Sequence, residues 1–214
     1  MKKIPFINGL TVDETGHTLN AMLGTVNATP PDRAPIKKWA KLRLWVGYLY
    51  ILLAMIFAKP VFFWTIVGII LVIIGVIIRL IASGTLIKDS VLCTTGIYSA
   101  TRNPLYLGSA LIGLGFASLT SSLWFLAGFL FILSPLYWRM IKLEENYLSL
   151  LYPGTFDEYR KSVPAFLPRH SSMRSIPGTV DTNLLKKSRE LTTSVIVIGL
   201  MVILVAIHAL WQPC

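Results

Sequence analysis

PLYLGSALIGLGFASLTSSLWFLAGFLFILSPLYW, residues 104 to 138, runs for 35 positions without a charged side chain. As one α-helix it would be about 52 Å long, well beyond a hydrocarbon core of about 30 Å even when tilted. Thr120-Ser121-Ser122, near the midpoint, is a polar break suited to a tight helix–helix turn. The run therefore predicts a hairpin of two short helices, 105–119 and 123–140.

Working outward, three further apolar runs have the same character. Leu44 to Ala58 is 15 residues without a charge, closed by Lys59-Pro60; Val61 to Ile78 is 18, closed by Arg79; Leu191 to Trp211 is 21. The first is short, but Trp39, Trp45 and nearby Lys side chains can anchor it at the interface. Composition agrees: 54% of the 214 residues are hydrophobic and only 14% charged, against about a quarter charged in a soluble domain. The mean hydropathy is +0.66.

The basic residues orient the spans. Arg33, Lys37, Lys38, Lys41 and Arg43 precede the first, and Lys59 alone follows it. Arg79, Lys88 and Arg102 follow the second, and nothing basic lies inside the hairpin. Arg139, Lys142, Arg160, Lys161, Arg169, Arg174, Lys186, Lys187 and Arg189 precede the last. Five spans put every basic-rich segment in the cytoplasm, as the positive-inside rule asks; four would break the alternation. The expected fold class is all-α, an integral membrane bundle of five transmembrane helices with the N-terminus cytoplasmic and the C-terminus external or luminal. The expected organisation is a non-helical arm at 1–43, a core at 44–168 with spans at about 44–58, 61–80, 105–119 and 123–140, a linker at 169–190 and a last helix at 191–211.

The net charge of +10 sits beside apolar spans, which points to membrane lipids and away from a nucleic-acid partner. Cys93 and Cys214 fall on opposite sides of the membrane in this scheme, so no structural disulfide is expected. The ending Trp211-Gln212-Pro213-Cys214 is not a prenylation box, and the start lacks the apolar stretch of a cleaved signal peptide. His17, His170 and His208 lack ligand spacing, so no metal is expected.

Two cytoplasmic stretches carry more punctuation than a linker needs. In the first, Gly96 turns the chain and Asn103-Pro104 opens a helix, with Asn as cap and Pro in the first turn. Arg102 and Asn103 then sit at the positive end of the helix dipole, where a carboxylate is favoured. In the second, the fourth helix carries Glu144 and Glu145 about one turn into the cytoplasm. Glu144 shares a face with Tyr137, Met140 and Leu148, so one carboxylate faces the protein while its neighbour meets water. Each feature also has an ordinary reading: a helix start with a positive-inside anchor, and a solvated Glu pair balancing Arg139 and Lys142.

Gly96-Ile97-Tyr98, Arg102-Asn103-Pro104-Leu105-Tyr106-Leu107-Gly108, Glu144-Glu145 with Leu148, and Phe156 and Tyr159 followed by Val163-Pro164 and Phe166-Leu167-Pro168 together resemble the isoprenylcysteine carboxyl methyltransferase family. That group of integral membrane methyltransferases includes phospholipid N-methyltransferases. The resemblance covers about residues 44–168. It implies methyl transfer from S-adenosylmethionine to a lipophilic acceptor (an isoprenylcysteine-like carboxylate, a phospholipid amine or a small thiol) that enters sideways from the bilayer. It implies that Leu92, Cys93, Tyr98, Asn103, Pro104, Leu105, Tyr106 and Glu144 hold the cofactor in a cytoplasmic pocket. Arg102, Arg139 and Glu145 are the candidate catalytic residues.

The chain departs from the family pattern at several places. Asn103 stands where the isoprenylcysteine enzymes have His, and Ser90 where a His often precedes the Leu-Val pair. The Phe-Gly ahead of the two aromatic positions is replaced by Tyr152-Pro153-Gly154. Met140 aligns with an Arg implicated in substrate binding, and the adjacent Arg139 would point about 100° away on a helix. Methyl transfer from a sulfonium needs alignment and desolvation more than acid–base groups, so few catalytic residues are expected; for an amine acceptor, Glu144 or Glu145 is the available proton acceptor. Two other classes share this architecture, a nicotinamide-dependent membrane reductase and a non-catalytic scaffold. The Gly199 face of the last helix is a surface for packing on the bundle or on a second copy, and a bacterial inner membrane is the expected location.

Overall fold

The computed structural model describes residues 32–59, 61–85, 92–168, 185 and 190–211. The expected arm up to residue 31, Ser90, most of the linker, and Cys214 lie outside them. Helix α1 spans Ala34–Phe57, α2 Phe62–Thr85, α3 Pro104–Leu119, α4 Leu123–Leu151, α5 Thr155–Ser162 and α6 Glu190–Trp211, with a single 3₁₀ turn at Gly96–Ser99. No strand occurs among the described residues.

The first helix begins ten residues before the apolar run, correcting the expected arm boundary. Pro35 in its first turn favours the start, and Ile36, Trp39, Ala40 and Arg43 form one helical stripe. Ile36, Trp39 and Ala40 pack on the buried cluster of Tyr106, Met140 and Ile141. Lys37, Lys38 and Lys41 stay exposed around that stripe. The helix ends where Ala58 turns extended.

The long apolar run breaks at Thr120–Ser122. Ser121 takes φ +50°, and the Thr120 hydroxyl donates to Ala117 O at 2.7 Å. This turn also receives the α1–α2 connection: Lys59 N donates to Thr120 O at 3.3 Å and Val61 N to Ser121 Oγ at 2.9 Å. Beyond it, α4 contains a π turn at Phe129–Leu133, with Ser134 N donating to Phe129 O. Pro135 explains the irregularity, since it has no N–H and its ring crowds the carbonyl four residues back.

Helices α2 and α3 pack closely enough that glycine is required between them. A Cβ on Gly75 would sit 2.6 Å from Gly108 O, and one on Gly115 would sit 2.8 Å from Gly68 O. The two pairs are spaced seven residues apart on both helices, a small-residue seam suited to helix packing in lipid. Beside the seam, Val72, Val76, Ile112, Phe116 and Leu119 form the buried core, which α6 completes with Met201 and Leu204. Arg79 of α2 ties down the start of α6, pairing with Glu190 at 2.8 Å and also bonding the Ser109 hydroxyl of α3.

The outward faces are apolar. Trp124 is 87% exposed and Phe62 and Leu123 are each 82% exposed, so the chain presents to its surroundings what a soluble protein would bury. Ala34–Phe57, Phe62–Thr85 and Leu123–Leu151 are long and apolar enough to cross a membrane; Pro104–Leu119 and Glu190–Ala206 are apolar but shorter. These features fit a membrane protein.

Candidate functional site

At the end of the bundle opposite the Thr120–Ser122 turn, three elements surround a cavity of about 270 Å³. One wall is the segment Leu92–Tyr106, which turns at Gly96 (φ +61°) and enters α3. The second is the extension of α4, which contributes Glu144, Tyr147, Leu148 and Leu151. The start of α1 supplies Arg33 and Ile36, and Tyr152 and Tyr159 complete the lining.

Residues 163–168 brace the first wall from behind. Arg102 N donates to Pro164 O at 3.0 Å, and the Thr101 hydroxyl donates to Phe166 O at 2.9 Å. Tyr159 OH donates to Tyr98 O at 2.6 Å, fixing α5 against the 3₁₀ turn. Gly154, at φ +79°, makes the reversal between α4 and α5 that brings Tyr159 there.

Asn103 occupies the position before α3, but its side chain does not cap the helix. Its Nδ2 donates instead to Glu145 Oε1 at 3.2 Å and to Ala165 O at 3.0 Å. The expected capping role is thereby corrected: a buried carboxylate and a carbonyl compete successfully for the amide. Glu145 is drawn the same way. It is 5% exposed, and its Oε1 also lies 3.3 Å from Arg102 Nη2. Of the two neighbouring glutamates, Glu145 is the one that faces the protein, held inside by Arg102 and Asn103. Glu144 stays half-buried, in keeping with the expectation of one carboxylate inward and one toward water. Glu144 faces the cavity, accepting a hydrogen bond from Tyr106 OH at 2.8 Å.

Leu92, Cys93, Tyr98, Asn103, Pro104, Leu105, Tyr106 and Glu144, together with Arg102, thus line one cavity. Glu145 stands behind it as the partner of Arg102. Arg139 is not brought there: its guanidinium lies 4.5 Å over the Trp39 ring. Sequence reading missed Arg33, Ile36, Tyr147, Leu151 and Tyr152 as lining residues. A signal existed for two of them, since Tyr147 and Leu151 fall three and seven residues after Glu144 on one helix face. Arg33 reaches across to α4, with Nε donating to Tyr147 OH at 2.6 Å and the guanidinium 4.6 Å over that ring.

The phenols and the thiol of the wall are kept in their neutral forms by burial. Burial pushes the Tyr98 phenol well above its usual range, with the neighbouring Cys93, Tyr159, Glu144 and Glu190 adding to the effect. Burial likewise raises the Tyr159 phenol and the Cys93 thiol, the latter offset in part by hydrogen bonding to Thr95. The cavity therefore offers neutral donors, an acceptor carboxylate at Glu144 and guanidinium groups at Arg33 and Arg102, set in mostly apolar walls. That mix suits a small, amphipathic, charge-bearing ligand.

A phospholipid methyltransferase family model matches residues 42–155. Among curated proteins, the nickel-cobalt-cadmium resistance protein NccN of Alcaligenes xylosoxydans xylosoxydans is 33% identical over 130 residues, covering 59% of this chain and 60% of that one. The cobalt-zinc-cadmium resistance protein CzcN of Cupriavidus metallidurans is 34% identical over 116 residues, 54% of this chain and 53% of its own. The protein-S-isoprenylcysteine O-methyltransferase of Schizosaccharomyces pombe is 33% identical over 81 residues, 38% of this chain and 34% of its own. The matched stretch spans less than two thirds of each of these relatives. No solved structure matches the chain.

Proposed function

The chain belongs to the phospholipid methyltransferase family, and from that premise we propose that it transfers a methyl group from S-adenosylmethionine to a lipophilic acceptor held in the membrane. The observation that carries the reading is the convergence of two segments about 40 residues apart in the chain, 92–106 and 144–151, on one cavity. The kinship with isoprenylcysteine O-methyltransferases supports it.

The residues present fit the cofactor. Glu144 offers an acceptor for hydroxyl or ammonium groups, and Arg102 carries buried N–H groups without partners. Apolar side chains such as Leu92, Leu105, Leu148 and Leu151 suit a flat ring. When bound, S-adenosylmethionine supplies an electrophilic methyl group. The chain's own contribution is alignment and exclusion of water: the two walls fix the ligand's ends, and the neutral Tyr98, Tyr159 and Cys93 add no competing anionic nucleophile. Glu145 acts through Arg102, which it holds, and Asn103 in turn holds Glu145.

In this reading α1, α2, α3, the first part of α4, and α6 cross the membrane, with the cavity on the cytoplasmic side of a bacterial inner membrane. The basic-rich segments support that orientation. Two relatives carry metal-resistance names. Among the described residues no group of three or more His, Cys, Asp or Glu stands close enough to hold an ion, and the proposal draws on the methyl-transfer kinship.

The test is transfer itself. Protein reconstituted into vesicles of bacterial inner-membrane lipid extract is incubated with methyl-labelled S-adenosylmethionine. Label extracted with the organic phase, and lost in Glu144→Ala, is the expected result. No label above protein-free vesicles in any lipid extract or with an added prenylated cysteine contradicts the proposal.

A further inference from the structure

One group in the cavity has incomplete bonding. The Arg102 side chain is only 9% exposed and, among the described residues, has a single ionic contact, Nη2 to Glu145 Oε1 at 3.3 Å. Its Nε and Nη1 are buried without a hydrogen-bond partner. Glu145 does not make up the difference, because the same Oε1 also receives Asn103 Nδ2 at 3.2 Å. A guanidinium carries five N–H donors and cannot shed its proton, so orphaned donors here are a standing penalty unless something arrives to accept them.

We infer that Arg102 is a carboxylate-binding subsite, its free Nε and Nη1 bonding an acid group of the bound ligand. The inference rests on the methyl-transfer reading of this cavity and names the ligand chemistry that the reading leaves open. Arginine's planar fork suits a carboxylate, and Arg102 lies just ahead of the first turn of α3, where the helix dipole adds positive potential. Glu145 already neutralises part of the guanidinium charge, so a singly charged acid fits the balance better than a doubly charged phosphate. Two sources present that acid: the amino-acid end of the cofactor and the acidic head of a lipophilic acceptor. Glu145 and Asn103 are positioning residues: Glu145 holds the guanidinium through Nη2, leaving Nε and Nη1 without a partner, and Asn103 holds Glu145.

Calorimetric titration separates the sources. S-adenosylhomocysteine is compared with 5′-methylthioadenosine, which lacks the amino-acid end, and N-acetyl-S-farnesylcysteine with its methyl ester, on wild-type protein and Arg102→Gln. If the cofactor supplies the carboxylate, wild type prefers S-adenosylhomocysteine at least tenfold, and the variant loses that preference with its methylthioadenosine affinity unchanged. If the acceptor supplies it, the nucleoside preference survives but the wild type's tenfold or greater preference for the acid over the ester disappears. Should Arg102→Gln not fold, Arg102→Lys keeps the charge without the fork and is expected to shrink the relevant preference at least threefold. Preferences that survive substitution, or nucleoside binding with neither preference in wild type, overturn the subsite alone. Wild-type protein that binds neither nucleoside overturns the methyl-transfer reading together with it.

Discussion

The α2–α3 seam and the cavity at the end of α4 are built on opposite terms. Along the seam, Gly68, Gly75, Gly108 and Gly115 bring two helices to backbone contact, and Phe116 and Val72 beside them are wholly buried. Around the cavity, a buried arginine keeps free donors and a glutamate points into open space. The seam is complete within the chain, whereas the cavity is complete only with a ligand. Stability is concentrated in the first region and polar chemistry in the second, so substitutions in the two should separate in what they damage.

The sharpest way to break the comparison is Gly75→Leu. A side chain there meets the Gly108 carbonyl and Ile112, and α2 and α3 cannot part without opening the core. A loss of about 3 kcal/mol or more is expected, seen as failure to recover monodisperse protein in detergent. Gly199→Leu is the control, since nothing lies within 4 Å of a Cβ at Gly199; a similar loss there would erase the claim that the seam is special.

Glu145→Ala comes next. It removes the anionic partner of a buried guanidinium and one acceptor of Asn103. About 3 kcal/mol of destabilisation is expected, measured by thermal unfolding, with ligand affinity falling as well. A variant that melts like wild type would mean that the cavity wall is not organised around this pair.

Glu190→Gln probes the join between the core and α6. The Arg79–Glu190 pair is mostly buried, with side chains 19% and 15% exposed, and about 1–2 kcal/mol is expected from its loss. Ligand affinity should stay within twofold, because neither residue lines the cavity. A larger loss of affinity would bring α6 into the site.

The smallest effect is a matter of rate. Burial raises the Cys93 thiol, so at pH 8 it holds less of the reactive thiolate than a free cysteine does. In a Cys214→Ser background, iodoacetamide should modify Cys93 more slowly than glutathione, with the half-maximal rate at a pH above about 8.5. Faster modification with a lower midpoint would place a positive field, rather than apolar wall, at that position.

The helical layout was largely legible in the sequence, whereas the glycine seam between α2 and α3 and the inner wall of the cavity were not. The 35-residue charge-free run was too long for one span, so the turn at Thr120–Ser122 had to exist. The early start of α1 was hidden because Ile36, Trp39 and Ala40 are interleaved with lysines, which dilutes the helical period. The motif residues could be named from family likeness, which put Glu144 at the pocket, and the structure gathers them around one cavity; what likeness left open was which glutamate is buried. That was decided by partners distant in sequence, Arg102 and Asn103 for Glu145 and Tyr106 for Glu144. Arg33 lies ahead of the family-matched segment, and only the return of α1 across the cavity mouth reveals it.

The central claim is that the cavity between residues 92–106 and 144–151 binds the nucleoside cofactor of methyl transfer. Calorimetric titration of detergent-purified protein with S-adenosylhomocysteine, beside Glu144→Ala, tests it most directly. Binding in the micromolar range that the variant loses, with the variant still folded, is the predicted result. Well-folded wild-type protein that ignores S-adenosylhomocysteine and binds a reduced nicotinamide cofactor instead would contradict it.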